Sequence, residues 1–175
     1  MAQSTTSLFD VNSFLETTHK GNLDTHFVLP DIGDYIAQCQ PLTKDSLRSG
    51  IVGPDKTRAG EPWAALELSW ELMDDTIKSK LNMEKVVVRQ SLMLDLTNST
   101  PPQLDWGTNR NMRLKRLLDA TGLNKQKSFN ISSLAFATAL VHIEHRPDPN
   151  DAEIIYAEIT RVAAPEKARQ REAAQ

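Results

Sequence analysis

Apolar and polar residues alternate most regularly in the range 63–73. Leu66, Leu68, Trp70 and Leu72 fall on one side of an extended chain, and the glutamates and the serine between them fall on the other side. A period of two residues is typical of a strand that buries one face. The pattern therefore predicts a long strand whose leucines and Trp70 lie in the core.

Four further segments have the apolar content and the bounding turn residues of strands. They span residues 35–40, 85–96, 135–145 and 153–161. The first follows a turn-forming cluster at 30–34, and the last two are separated by residues 147–151, whose composition favours a hairpin connection. Residues 44–62 are polar and rich in Gly and Pro, so we predict a long flexible loop between the first two strands.

Residues 109–121 are the best candidate for a helix. Gly122 stands where a C-terminal cap belongs, and three residues give an apolar stripe at helical spacing. The stripe consists of Leu114, Leu117 and Leu118. A shorter helical turn is predicted around Ile77 and Leu81.

Five strands with one helix between the third and the fourth follow the order of an OB-fold, a small Greek-key barrel. We therefore predict a mainly β domain at 27–163, with one or two helices and a five-stranded OB-like Greek-key barrel. We predict that residues 1–26 form an arm with a short helix, in which Asp10 is the cap and Val11, Phe14 and Leu15 lie on one side. We expect this helix to pack over one end of the core. Residues 164–175 are expected to be a flexible tail.

The composition favours a single cytoplasmic domain. The 175 residues are enough to bury a core, and no run approaches the roughly 18 apolar residues that span a bilayer. The N-terminus lacks the basic-then-apolar layout of a secretion signal. A single cysteine, Cys39, excludes an internal disulfide and a metal cage built from cysteines. We expect a cytoplasmic protein with no membrane association, no metal and no cofactor.

The segment His142-Ile143-Glu144-His145 is the most enzyme-like part of the chain. On a strand, His142 and Glu144 project from one face and His145 from the other. A zinc site needs three or four converging ligands, and the zinc-deaminase signature requires a later Pro-Cys-x-x-Cys that this chain lacks. The phosphate-binding, dinucleotide-binding and serine-hydrolase motifs are also missing. The sequence therefore predicts binding rather than catalysis.

Basic residues concentrate between positions 110 and 127, where six of them are opposed only by Asp119. Such a segment can hold phosphates by charge neutralisation, and the net charge of −3 does not exclude a local basic groove. Aromatic rings outside the core would add stacking platforms for bases. The candidates are Trp63, Trp70, Trp106, Tyr35, Phe136 and Tyr156, and of these Trp63 and Trp106 are better placed than Trp70, which shares its face with three leucines. The predicted nucleic-acid-binding residues are Trp63, Lys85, Arg89, Trp106, Arg110, Arg113 and Arg116.

Four stretches together resemble a known group of proteins. They are Pro30-x-x-Gly33-Asp34-Tyr35, Leu66-Glu67-Leu68-Ser69-Trp70-Glu71-Leu72, Val88-Arg89-Gln90-Ser91-Leu92-Met93-Leu94-Asp95-Leu96 and Asn109-x-x-Met112-x-Leu114-x-x-Leu117-Leu118-x-Ala120-x-Gly122-Leu123. Followed by two closing strands, this order is similar to small bacteriophage proteins of replication and recombination regions. Members of that group are often single-stranded DNA-binding proteins with an OB-like barrel. The resemblance covers residues 27–162 and implies sequence-tolerant binding of single-stranded DNA in the host cell cytoplasm, with replication or recombination proteins as further partners.

Two features depart from that group. Several single-strand binders recruit replication partners with an acidic tail, whereas residues 166–172 carry three basic residues against two acidic ones. At the start of the fourth predicted strand, Phe136-Ala137 occupies a place where a tight barrel bend calls for glycine. The first departure bears on a role in replication and the second on barrel closure.

The alternative is a non-catalytic structural or adaptor protein of a phage, in a virion or in a host-takeover complex. The net negative charge favours it, and the arm, the 44–62 loop and the tail would then be the docking elements. The basic residues of 109–121 would in that case be an ordinary solvated helix face. The sequence leaves open the choice between DNA and RNA and the oligomeric state, homo-oligomers included.

Overall fold

The computed structural model describes residues 28–125 and 130–166 of the chain. In these residues the protein is mainly β, with six antiparallel strands in one open sheet and two α-helices. The strands are β1 (Gly33–Cys39), β2 (Leu47–Ile51), β3 (Pro62–Leu72), β4 (Val87–Leu94), β5 (Thr138–Pro147) and β6 (Ile155–Ala163). The helices are α1 (Asp75–Leu81), between β3 and β4, and α2 (Met112–Ala120), between β4 and β5. The prediction of a mainly β domain with one or two helices is confirmed.

The longest strand, β3, organises the sheet. One edge of β3 pairs with β4, and the other edge pairs with β2 along its first half and with β1 along its second half. Leu66, Leu68, Trp70 and Leu72 are all buried, which confirms the predicted alternation. The inner face of β3 is therefore the floor of the core.

The sheet continues from β1 to β5 and from β5 to β6, in antiparallel pairs throughout. A bulge between His142 and Ile143 shifts the register of the last pair. Cα atoms of β4 and β6 approach one another within 8 Å, but each of the two strands is hydrogen-bonded to a described strand on one edge alone. The sheet is therefore open and is not a hydrogen-bonded closed barrel.

The predictions of five strands and of a loop across 44–62 are wrong at β2. Lys44–Ser46 form a short 3-10 helix, and Leu47–Ile51 pair with β3. All the residues of β2 are exposed, so this edge strand has no buried face. A strand without a buried face lacks the alternation by which strands are recognised in a sequence.

The core lies between the inner face of the sheet and α2. The helix buries Leu114, Leu117 and Leu118, as its apolar stripe predicts, and it packs against β6 and β4. Trp70 is fully buried, and its indole Nε1 donates a hydrogen bond to Oε1 of the buried Gln90 at 3.1 Å. This bond gives the one polar atom of the indole a partner inside the core.

The short helix α1 confirms the predicted helical turn, since Ile77 and Leu81 are both buried in it. It begins after Asp74, whose side chain accepts hydrogen bonds from two backbone N–H groups of the first turn. No helix within 28–125 or 130–166 is long and apolar enough to cross a membrane. The predicted arm helix and residues 167–175 of the predicted tail lie outside the described residues.

The bend before β5 delays the start of that strand relative to the prediction. Ile131–Leu134 form a 3-10 helix, and Phe136 then takes a φ of 63°, in the left-handed region that favours glycine. The Phe136 N–H donates a hydrogen bond to the carbonyl oxygen of Cys39 at 2.8 Å, which ties the bend to the end of β1. The place where glycine was expected thus has a glycine-like backbone with a phenylalanine side chain.

Candidate functional site

Four arginine side chains from three elements line one cleft between β4, β6 and α2. This arginine cleft is defined by Arg113 and Arg116 of α2, Arg146 of β5 and Arg161 of β6, and its volume is about 400 Å³. Residues three apart are neighbours on a helix surface, so Arg113 and Arg116 lie on the same side of α2. The leucine stripe next to them is buried against the sheet, and this packing fixes the direction in which the two arginines project.

The arginine cleft carries an excess of positive charge. Nη1 of Arg146 lies 3.3 Å from Oε2 of Glu158, the one carboxylate among the described residues that line the cleft. Nη2 of Arg161 lies 3.2 Å from Oδ1 of Asp34, which belongs to β1 and does not line the cleft. Within the described part of the chain, the two arginines of α2 form no ion pair. Their guanidinium groups are therefore available to an anionic ligand.

Asp34, His142 and Arg161 form a row across β1, β5 and β6, because the strand register places them opposite one another. Nδ1 of His142 lies 2.6 Å from Oδ1 of Asp34. Burial alone would raise the pKa of Asp34, but hydrogen bonds from His142 and Arg161 outweigh burial and hold that pKa below its ordinary value. The row therefore holds an ionised carboxylate that positions Arg161 at the border of the cleft.

The remaining groups of the enzyme-like segment have structural partners. Nε2 of His142 lies 3.6 Å from Oε1 of Glu144, so these two side chains share a face as predicted. His145 contacts the carbonyl oxygen of Pro30 through Nε2 at 2.8 Å. In the described ranges, no group of three or more His, Cys, Asp or Glu side chains is arranged to hold a metal ion. Burial raises the pKa of the Cys39 thiol to about 11, so this thiol stays protonated near neutral pH.

The arginine cleft contains two of the predicted binding residues, Arg113 and Arg116, and not Arg110. Arg110 precedes α2, and its guanidinium lies 3.6 Å from the carboxylate of Asp95 and 3.5 Å from that of Asp105. A β-bridge in the loop after β4 brings these two carboxylates together. The positive charge of Arg110 is therefore balanced within the protein.

Lys85 and Arg89 lie at the outer face of the sheet. Nζ of Lys85 is 3.7 Å from Oε2 of Glu71. Arg89 stands opposite Ser69 of β3 and, with Arg48, lines a separate pocket of about 340 Å³. The two predicted residues thus belong to a neighbouring surface and not to the arginine cleft.

Neither of the tryptophans that were predicted to stack on bases lines the arginine cleft. Trp63 packs on Gly50 of β2, where an added Cβ would stand 2.9 Å from the indole Nε1. Trp106 is 44% exposed in the loop before α2, and its carbonyl oxygen accepts a hydrogen bond from Nζ of Lys115 at 3.2 Å. The indole of Trp63 is thus committed to packing across the β2–β3 pair.

Sequence reasoning did not select Arg146 or Arg161, and it ranked Tyr156, one of its aromatic candidates, below Trp63 and Trp106. Tyr156 is 49% exposed and stands directly opposite Arg146 in the β5–β6 pair. All three belong to the last hairpin, far along the chain from α2, and only the packing of α2 on β6 brings Arg161 beside the helix. The available signal was the presence of basic and aromatic residues on both strands of a predicted hairpin.

An apolar groove of about 820 Å³ adjoins the arginine cleft and shares Ser91, Arg146 and Glu158 with it. The groove lies between the start of β4, the β5–β6 hairpin and residues 28–30. Its exposed apolar side chains are Val28, Met83, Val87, Ile155 and Tyr156. Tyr156 therefore stands where apolar surface meets the arginines.

Comparison with known proteins gives no relative for this chain. No family model, no curated protein sequence and no solved structure matches it. Its function must therefore be inferred from the arginine cleft and the surfaces that border it.

Proposed function

We propose that the protein binds single-stranded nucleic acid in the arginine cleft, with little dependence on base sequence and without catalysis. The observation that carries this proposal is the convergence of four arginines on a cleft whose described lining has one carboxylate. A guanidinium is planar and matches the paired oxygens of a phosphate with two parallel hydrogen bonds. Successive phosphates of the nucleic acid contact the arginines of α2 and then those of the β5–β6 hairpin.

Tyr156 is the aromatic side chain that the proposal assigns to a base. It lies beside Arg146, and its half-exposed ring borders the apolar groove. Stacking of a base on an aromatic ring contributes about 1–3 kcal/mol and does not depend on base identity, because every base has a π face. The phosphate contacts and this ring together support binding without sequence preference.

The strand order supports an OB-like interpretation of the open sheet. Because β1 and β2 pair with the same edge of β3, together they correspond to one interrupted first strand. The pairings of β1 with β3 and β5, of β3 with β4 and of β5 with β6 then follow the OB order, with α2 between the third and fourth strands. OB-folds bind oligonucleotides on the face of their second and third strands, which correspond to β3 and β4, and of these two strands β4 lines the arginine cleft.

Reversing the charge of the helix arginines tests the proposal. Arg113→Glu with Arg116→Glu is expected to weaken binding of a fluorescein-labelled oligothymidylate by at least about 100-fold, because repulsion of phosphates replaces attraction. For the wild-type protein, the logarithm of the affinity should fall with the logarithm of salt concentration at a slope of about −3, from four phosphates at about 0.7 each. Fluorescence anisotropy across a salt series measures both quantities.

Lys44→Glu with Lys56→Glu is the matched control, since it makes the same change of charge at two exposed residues outside the cleft. A comparable loss of affinity in this control would remove the cleft from the proposal. If the wild-type protein fails to bind the oligonucleotide even at low salt, the proposal itself is wrong and the structural or adaptor role is favoured.

A further inference from the structure

We propose that residues 1–27 of the same chain occupy the apolar groove. This inference is independent of nucleic-acid binding and concerns a contact within one molecule. It follows from the apolar surface that the groove leaves exposed, from the point at which the N-terminal segment joins the described residues, and from the composition of that segment.

The groove leaves a concentrated apolar surface in contact with solvent. Val28 is 66% exposed, Met83 49%, Val87 47% and Ile155 44%, although all four are large apolar side chains of one groove. Burial of such a side chain typically contributes about 1.5–3 kcal/mol, so covering several of them is strongly favourable. A contiguous exposed apolar surface of this kind indicates a docking site.

The N-terminal segment is already attached at the groove. Residues 28–30 line the groove, and residues 1–27 join the chain immediately before them. An extended chain spans about 3.3 Å per residue, so the 13 positions between Phe14 and Val28 can reach every part of the groove. A tether of this length gives a local concentration in the millimolar range, which a separate partner would have to exceed.

The composition of the segment fits the groove and its rim. Residues 8–15 include five apolar side chains, Leu8, Phe9, Val11, Phe14 and Leu15. Residues 1–27 contain three acidic residues and one lysine, a net charge of −2, whereas Arg89 and Arg146 both line the groove. The carboxylates of Glu67 and Glu158 in the same lining contact Ser91 and Arg146, which leaves the Arg89 guanidinium for the acidic segment.

Cleavage by trypsin reports on this contact directly, because Lys20 is the one Lys or Arg among residues 1–27. In the full-length wild-type protein, cleavage after Lys20 is expected to be at least about tenfold slower than in Val87→Glu with Ile155→Glu, since proteolysis follows the population of the open form. Phe14→Asp should accelerate cleavage to a similar extent, and it leaves residues 28–166 unchanged. Mass spectrometry of timed digests measures the rates.

Ile51→Glu with Met93→Glu is the matched control, because these side chains are 72% and 64% exposed and lie outside the groove. Cleavage of this control at the wild-type rate supports the inference. Wild-type cleavage as fast as that of a free peptide of residues 1–27, or no acceleration in Phe14→Asp, would overturn it. Protection that disappears on dilution of the protein would also overturn it, because the segment would then come from a second copy.

Discussion

Phe136 combines an unfavourable backbone conformation with a side chain that contributes little burial. Its φ is 63°, and the residue is 62% exposed. A residue with a Cβ loses about 1–2 kcal/mol in the left-handed region, whereas glycine does not. The backbone of Phe136 is nevertheless needed, because its carbonyl oxygen and its N–H bond Gln38 and Cys39 at the end of β1.

Phe136→Gly is therefore expected to stabilise the protein by about 1 kcal/mol, the relief of strain being reduced by the greater chain entropy of glycine in the unfolded state. Phe136→Ala is the control, because it removes the ring but keeps the Cβ. Urea unfolding of the three proteins measures the difference. A glycine variant no more stable than the alanine variant would show that the ring, rather than the backbone, determines the stability at this position.

At the scale of elements, one buried side chain joins the loop after β4 to α2. Asn111 is 3% exposed, and its Nδ2 donates hydrogen bonds to the carbonyl oxygens of Asp95 and Asp105 at 2.8 and 2.9 Å. Its Oδ1 accepts a hydrogen bond from the N–H of Asp95 at 2.8 Å. The amide thereby fixes the point at which α2 begins, and with it the positions of the two helix arginines.

Asn111→Ala is expected to lower the free energy of unfolding by about 3 kcal/mol, because three hydrogen bonds are lost and the partly buried Asp95 N–H and Asp105 carbonyl oxygen lose the partner that the amide supplies. Asn109→Ala is the matched control, since Asn109 has a similar φ of 62° but is exposed. Urea unfolding at neutral pH provides the comparison. If both variants lose the same free energy of unfolding, the left-handed backbone alone accounts for the effect, and the role of the Asn111 amide is contradicted.

The elements with one buried face could be predicted from the sequence, and those without could not. β3 and β4 alternate, and α2 has a leucine stripe, because burial against the core imposes the period of the element on its residues. β2 is exposed on both faces and is held by backbone hydrogen bonds to β3. Its side-chain sequence therefore shows no alternation that would identify it as a strand. The sequence indicated that a tight bend at position 136 would call for glycine. It did not indicate that Phe136 would itself adopt the left-handed conformation that glycine favours.

At the scale of the whole molecule, the binding site depends on which distant elements meet. The basic side of α2 was visible in the concentration of basic residues between positions 110 and 127, whereas Arg161 joins it only because β6 packs against α2. Arg110 belongs to the same sequence pattern, but the loop after β4 supplies two carboxylates to it. Long-range pairing of this kind leaves no local signal in a single sequence.

The position of the aromatic side chains predicts which ring contributes to binding. Tyr156→Ala is expected to weaken oligothymidylate binding about tenfold, the loss of one stacked base, whereas Trp63→Ala should leave the affinity unchanged. Fluorescence anisotropy at one fixed salt concentration compares the two variants, and circular dichroism checks that both are folded. A larger loss of affinity in Trp63→Ala than in Tyr156→Ala would indicate that the oligonucleotide lies along β2 and β3 instead.

β4 and β6 approach each other without forming backbone hydrogen bonds, and this open seam of the sheet affects how copies of the protein interact at high concentration. A strand edge without a hydrogen-bonded neighbour presents free backbone groups, and such edges template sheet growth from one molecule to the next. The seam is bordered by arginines, so two seams that approach each other bring like charges together at the moment of contact. The same guanidinium groups are therefore expected to oppose edge-to-edge association of copies, and this opposition should weaken as salt screens them.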